Sequence, residues 1–365
     1  MRSSRRSRNL HDGCVLGERL GDAAPPALPL ATTLDLGFRP RLRVYETIFE
    51  PRAKGRPLKR TSKSADLHRL RTEQTNSAAA ELDRKSSLEI ARLINQEDAS
   101  VAAAVKRALP QIARAIDQIA AALRKGGRLI YVGAGTSGRI AALDASECGP
   151  TFNTDPRTVQ FIIAGGIKAL SAATEASEDS TEDGRDEMAK KKPGKNDVIV
   201  GIASSGRTPF TVAAVEYARR HGARTIALTC NRNSQLERVA DFAIVTEVGP
   251  EVLAGSSRMK AGTAHKMVLN MLSTGAMTRL GYVYGNLMVN VLPRNEKLTQ
   301  RAIGILERAT GADRENARRT LAAAGNRTPV ALVMLAGRVS RARATAALKQ
   351  SSGHVRQAIA QANPK

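Results

Sequence analysis

Arg128–Phe152 reads RLIYVGAGTSGRIAALDASECGPTF. The apolar run Leu129-Ile130-Tyr131-Val132 predicts a buried strand, closed by Gly133-Ala134-Gly135-Thr136-Ser137-Gly138 and followed by a helical pattern from Arg139 to Asp144-Ala145-Ser146-Glu147. A strand, a Gly-rich loop and a helix outline a βα anion cradle. Glycines let backbone N–H groups converge, and the helix N-terminus adds partial positive charge. Thr136 and Ser137 add hydroxyl donors, and Glu147 places a carboxylate beyond the far end of that helix. The loop lacks the Lys-Ser/Thr ending of a P-loop. Gly133, Gly135 and Gly138 fit GxGxxG spacing, but a dinucleotide site needs an acidic residue after the next strand. That strand, Thr158–Ile163, ends in Ala-Gly-Gly. Alone, the loop is either an anion cradle or a structural tight turn.

A second copy weighs toward the cradle. Asp197–Ile202 (DVIVGI) predicts another buried strand, followed by Ala203-Ser204-Ser205-Gly206-Arg207-Thr208, with Pro209 opening a helix that runs to His221. Thr225–Thr229 and Phe242–Thr246 supply further strands. Strands alternating with helices predict an α/β fold: a doubly wound, mostly parallel sheet flanked by helices. Ligands bind such sheets at the carboxyl ends of the strands, where both hydroxyl-rich loops would lie. Two such cradles without a nucleotide motif point to a sugar phosphate.

Around this core, Met1–Arg71 lacks sustained periodicity and predicts a basic, disordered extension, whether a true tail or the product of an upstream start codon. Order is expected from Thr72. Helices are predicted around Ser87–Ile94 and over Ser100–Lys125, with Ser100 as N-cap and Gly126-Gly127 as C-cap. After Gly166, a helical stretch Ile167–Thr174 leads to Glu175 and Glu178, three apart and so on one helix face; by spacing alone these make a solvated acidic patch or a functional pair. GPEVLAGSSRMKAG (249–262) leads into a long helix, Thr263–Leu280. Its Arg258 and Lys260 reach a phosphate or a neighbouring subunit, or serve only as helix lead-in. From Asn295 onward the chain is Ala-rich and helical, with stretches at 298–309, 313–323, 329–336 and 341–349. The expected organisation is therefore 1–71 extension, 72–294 α/β domain with N-terminal helices, and 295–365 a small all-helical domain.

Composition narrows the function classes. The chain has 365 residues and a formal net charge of +23, of which about +9 sits in residues 1–71, where sixteen Lys/Arg face seven Asp/Glu. The absence of Trp and the 3% aromatic content disfavour stacking platforms for nucleic acid. Nor do the N-terminal helices show helix-turn-helix spacing. A solvated basic surface that draws in anionic substrates accounts for the charge without nucleic acid. No apolar run is long enough to predict a membrane span, and no apolar segment follows the Arg-rich start to make a secretory signal. Cys14, Cys148 and Cys230 and five scattered histidines give neither a disulfide ladder nor metal-ligand spacing, which predicts a reducing, cytoplasmic setting.

The loop pair GTSGR and SSGRTP resembles the sugar isomerase (SIS) domain of phosphosugar-binding proteins. The longer runs EIARLINQED, IYVGAGTSGR, LDASECGPTF, VGIASSGRTP, GSSRMKAGTAHKMVLNMLSTGAM and YGNLMVNV resemble the N-acetylmuramic acid 6-phosphate etherases, from about Thr72 to the C-terminus. The resemblance implies a SIS-type fold, a homodimer and cofactor-independent, metal-independent lyase chemistry in cell-wall amino-sugar recycling. The D-lactyl ether of N-acetylmuramate 6-phosphate would be cleaved to N-acetylglucosamine 6-phosphate and D-lactate. It also implies two catalytic carboxylates, at the positions of Glu147 and Glu178, with Glu147 as proton donor. Phosphosugar binding would fall to Gly135, Thr136, Ser137 and Gly138 and to Ser204, Ser205, Gly206 and Thr208. Two departures, EASED for the usual EGAED and ECGPT for ECPPT, leave both carboxylates in place. Related SIS domains also act as non-catalytic sugar-phosphate sensors, including a glucokinase regulator. A SIS transcription regulator would need a helix-turn-helix that Met1–Arg71 does not supply.

Overall fold

The computed structural model describes residues 70–172 and 175–362; the extension expected over Met1–Arg71 lies outside them except for Leu70 and Arg71. Five strands form one sheet: β1 (Leu129–Gly133), β2 (Val159–Ile163), β3 (Val198–Ile202), β4 (Arg224–Thr229) and β5 (Phe242–Val245). All pairs are parallel and the order is β2-β1-β3-β4-β5. Each strand is a nearly unbroken apolar run because helices cover both faces. Alternate side chains divide between them. Leu129, Tyr131, Val198 and Val200 face one core together with Ile112, Ile119 and Leu272. Ile130, Val132 and Ile199 face the other, with Met188, Phe210 and Leu236.

The first face is covered by α1 (Ser87–Arg107) and α2 (Leu109–Arg124) together with α3 (Gly135–Phe152) and α8 (Lys260–Arg279). Ser86 caps α1 in a capping box with Glu89. Ser100 lies inside α1 rather than at an N-cap, its hydroxyl donating to the Glu97 carbonyl at 2.7 Å. The break falls instead at Ala108, just before Pro110, whose ring restricts the preceding residue and removes a helix N–H. The other face carries α5 (Thr181–Lys190), α6 (Pro209–Arg220) and α7 (Gln235–Val239). A single turn, α4 (Glu175–Glu178), precedes α5. The predicted helix over 167–174 is a short 3-10 turn, Ile167–Leu170.

Helix α3 departs from expectation at both ends. It starts at Gly135, not Arg139, and runs past Glu147 and through Pro150 to Phe152. Cys148 and Phe152 are core residues, so their burial holds the helix together beyond the carboxylate. It ends only at Asn153, in the left-handed region, whose N–H donates to Gly149 at 2.8 Å.

Helices α9 (Glu296–Thr310), α10 (Arg314–Ala323), α11 (Thr328–Gly337) and α12 (Arg341–Gln350) match the predicted stretches, and α13 (Val355–Ala362) adds one more. They share an apolar cluster distinct from the two on the sheet, which includes Ile303, Leu306, Val330 and Leu332 and also Val289 and Val291 from the segment before α9.

Candidate active site

Strand order places β1 beside β3, with their last residues in register, Gly133 opposite Ile202. Chain direction across the sheet reverses between these two strands, so the loops leaving their carboxyl ends diverge and open a crevice. A cleft of about 470 Å³ lies there, lined by both hydroxyl-rich segments.

On the β1 side the cradle is the first turn of α3 rather than a loop. Ala134 is extended and Gly135 turns the chain at φ +51°. Thr136, Ser137 and Gly138 are therefore helical. The opening N–H groups of such a helix have no intrahelical acceptor and are available to an anion. On the β3 side, Gly206 adopts φ +66°, and a Cβ there would lie 2.4 Å from the Ser234 side chain, so only glycine fits. The Ser204 carbonyl is anchored by Asn231 Nδ2 at 2.9 Å and the Cys230 N–H at 3.0 Å. Ser205 Oγ accepts from the Arg207 N–H at 3.2 Å. Thr208 is the N-cap of α6 but makes no side-chain cap, and it lines the cleft.

All eight phosphosugar positions expected from the resemblance belong to these two segments, and six of them (Gly135, Thr136, Ser137, Ser204, Ser205 and Thr208) line the cleft directly. Gly138 sits behind, where a Cβ would meet Ile163 at 2.5 Å. The two carboxylates fare differently. Glu178, the last residue of α4, lines the cleft, and a Cβ on Gly135 would stand 2.8 Å from its Oε1. Glu147 is exposed on α3. It lies twelve residues beyond Gly135, about 18 Å along the helix axis at a rise of about 1.5 Å per residue. One chain does not bring the pair together.

The structure adds residues that spacing did not reveal. Thr72 and Glu73 line the cleft from far upstream. Asn231 holds them there, accepting from the Arg71 N–H at 3.0 Å and donating to Thr72 Oγ1 at 3.2 Å. A contact spanning 159 residues leaves no local signal. Ser256, Ser257 and Arg258 also line the cleft, next to Glu73: a Cβ on Gly255 would stand 3.2 Å from Glu73 Oε2. Of the readings open for Lys260, the structural one fits: it is buried at the start of α8, its Nζ 2.6 Å from Glu97 Oε2. The buried Glu251 carboxylate accepts the N–H groups of Lys260 and Ala261, each at 2.9 Å, and so anchors the start of α8; burial raises its pKa. Asp144, in the motif that carries Glu147, is structural. It accepts from Tyr131 (2.9 Å), Asn270 (2.7 Å) and Ser273 (3.1 Å), tying β1, α3 and α8 together.

A doubly wound sheet with two Ser/Thr cradles at the switch between its first two central strands is the architecture of a SIS domain. The SIS domain family matches residues 180–275, and the glucokinase regulatory protein N-terminal SIS domain family matches residues 111–219. Among curated proteins, the N-acetylmuramic acid 6-phosphate etherase of Escherichia fergusonii is 50% identical over 293 residues, 80% of this chain and 98% of that one. The etherase of Klebsiella aerogenes is 48% identical over 296 residues, 81% and 99% of the two chains. A solved phosphoheptose isomerase from Francisella tularensis aligns with 53% of this chain and all of its own, at 21% identity and a TM-score of 0.42. The chain belongs to the N-acetylmuramic acid 6-phosphate etherase family.

Proposed function

We propose that this protein cleaves the D-lactyl ether of N-acetylmuramate 6-phosphate, releasing D-lactate and leaving N-acetylglucosamine 6-phosphate, in cell-wall amino-sugar recycling. The observation that carries this reading is the cleft at the β1/β3 switch, where two donor-rich cradles and the Glu178 carboxylate converge in a chain of the etherase family. The cradles take the 6-phosphate and fix the sugar against Glu178, and holding it in a reactive geometry supplies much of the rate. In the open-chain sugar the C1 aldehyde acidifies the C2 proton. A carboxylate removes that proton, the C3–O bond breaks, and a carboxylic acid protonates the departing lactate oxygen. Water then adds at C3 and a proton returns to C2. This is carbon–oxygen lyase chemistry using carboxylates alone. We assign these duties to Glu178 and Glu147, with Glu147 as donor.

A proton donor of this kind needs cover from water, and Glu147 is exposed in a single chain. We therefore place it in a homodimer. Thr136, Ile140, Leu143, Glu147 and Pro150 follow a 4-3-4-3 spacing along α3, and Leu143 is 52% exposed. Pairing α3 with its copy about a two-fold axis between Ile140 and Leu143 sets each Leu143 against the other chain's Ile140. It also sets each Glu147 against the other chain's Thr136, at the mouth of that cradle. The buried free thiols of Cys148 and Cys230 suit a reducing cytoplasm. The separate apolar cluster of α9–α13 supports a helical C-terminal unit, and because Val289 and Val291 belong to that cluster its edge falls upstream of residue 294.

Reaction in H2(18)O tests the chemistry. Label should enter the C3 hydroxyl of the sugar and not the lactate, with solvent deuterium appearing at C2 in D2O. Label in the lactate would overturn elimination–hydration.

A further inference from the structure

Behind the first cradle lies a buried polar chain that the proposed chemistry does not use. Ser137 Oγ is 3.4 Å from His265 Nδ1, and His265 Nε2 is 3.7 Å from Cys230 Sγ. Cys230 Sγ is in turn 3.5 Å from Thr246 Oγ1. His265 and Thr246 are wholly buried and Cys230 is 1% exposed, whereas Ser137 touches the cleft. We infer that in the phosphosugar complex His265 acts as a positioning residue in its Nδ1–H form, accepting from the Cys230 thiol and donating to Ser137 Oγ, so that the Ser137 hydroxyl proton is turned toward the sugar phosphate.

The inference rests on a proton inventory. Neutral imidazole carries one N–H donor and one nitrogen acceptor. Burial holds His265 down at about 4 and pushes the Cys230 thiol up to about 12, so at neutral pH the ring is neutral and the sulfur keeps its hydrogen. Two arrangements then satisfy every buried atom. With Nε2–H, the ring donates to sulfur and Ser137 must donate inward to Nδ1, leaving only lone pairs facing the cleft. With Nδ1–H, the thiol donates to Nε2, the ring donates to Ser137, and the serine proton points outward. Sulfur is a weak donor and a weak acceptor, so the Cys230 contact is weak in either arrangement and does not decide between them. A phosphate at the cradle needs donors and repels lone pairs, which favours the second. The bound phosphate thus selects the tautomer, and the thiol supplies the proton that Nε2 then accepts.

This inference depends on the cleft binding a phosphosugar, and N-acetylglucosamine 6-phosphate is the probe that separates the two claims. Nitrogen-15 NMR of the wild-type complex should show the His265 proton on Nδ1. Calorimetry should show binding weakened roughly tenfold to a hundredfold in His265→Leu, the range expected for a hydrogen bond to a charged group. It should stay within about threefold of wild type in His265→Asn, whose amide restores a donor near the Nδ1 position. Turnover should carry the loss in KM, with kcat little changed. Ser137→Ala should match His265→Leu, and combining the two should cost nothing further. A proton on Nε2 in the wild-type complex, or equal binding by wild type and His265→Leu, would overturn the inference while leaving the phosphosugar reading intact. Failure of wild type to bind the probe would overturn both.

Discussion

Gly135 and Glu178 meet at the mouth of the cleft: a Cβ on the glycine would stand 2.8 Å from Oε1 of the glutamate. The residue that turns β1 into the first cradle is therefore also the floor on which the carboxylate rests. Gly135→Ala should displace that carboxylate and lower kcat about a hundredfold, the usual cost of misplacing a reacting group by about 1 Å. Its φ of +51° should add a fold penalty of roughly 1–2 kcal/mol. Steady-state kinetics alongside urea unfolding separates the two effects; unchanged kcat would show that the carboxylate does not depend on this contact.

Lys260 is expected to act on stability rather than on phosphate. Its Nζ is 2.6 Å from Glu97 Oε2, with the lysine side chain 3% and the glutamate 21% exposed. Lys260→Met should destabilise by roughly 1–3 kcal/mol because it removes the charged partner of a half-buried carboxylate and leaves it only the hydrogen bond from Asn76 Nδ2. Adding Glu97→Gln should recover much of that loss. The hydrogen bond from Lys260 also holds the Glu97 pKa below its ordinary value. Its stabilising contribution is therefore present above about pH 4.5 and lost as pH falls through the folded pKa. The variant should lack that step in a urea-unfolding series against pH.

Acid sensitivity should have a second source at His265. Burial holds its pKa at about 4 against an ordinary 6.5. Between those values the unfolded chain binds a proton that the folded chain does not, so stability rises with pH across this window. Lowering the pH from 6.5 to 4 should remove roughly 3 kcal/mol from wild type. His265→Asn should not show this loss. Glu251, whose carboxyl is raised by burial, works in the opposite direction in both proteins, so the difference between them isolates the histidine.

The sheet and both cradles were legible because each strand is apolar on both faces and each loop concentrates Gly, Ser and Thr. The true start of α3 was not, since Gly135, Thr136 and Gly138 are poor helix formers held helical by the packing of Ser137 and Gly138 beneath the turn. Its continuation past Glu147 was hidden by Pro150, which normally ends a helix but here yields to the burial of Cys148 and Phe152. Thr72 and Glu73 gave no signal because Asn231 brings them to the cleft from a distant part of the chain. The sequence left Lys260 open between an anion contact and a helix lead-in because nothing local announces a partner as remote as Glu97.

If the two carboxylates meet only across a dimer, Glu147→Gln and Glu178→Gln chains should each be inactive and should rescue one another. Half of the randomly reassorted dimers are mixed, and each holds one intact site, giving roughly a quarter of wild-type activity. Co-refolding the two and assaying turnover checks this; no recovery, with mixed dimers confirmed by mass spectrometry, would place both groups within one chain.

Lactate release from N-acetylmuramate 6-phosphate, compared between wild type and Glu178→Gln, decides whether this cleft is an active site. Wild type should release stoichiometric D-lactate. In the variant, release should fall at least about a thousandfold while N-acetylglucosamine 6-phosphate still binds, because the cradles hold the phosphate and the carboxylate serves the reaction. Tight phosphosugar binding by wild type without any lactate would contradict the lyase reading, and would make this cleft a sensor rather than an active site.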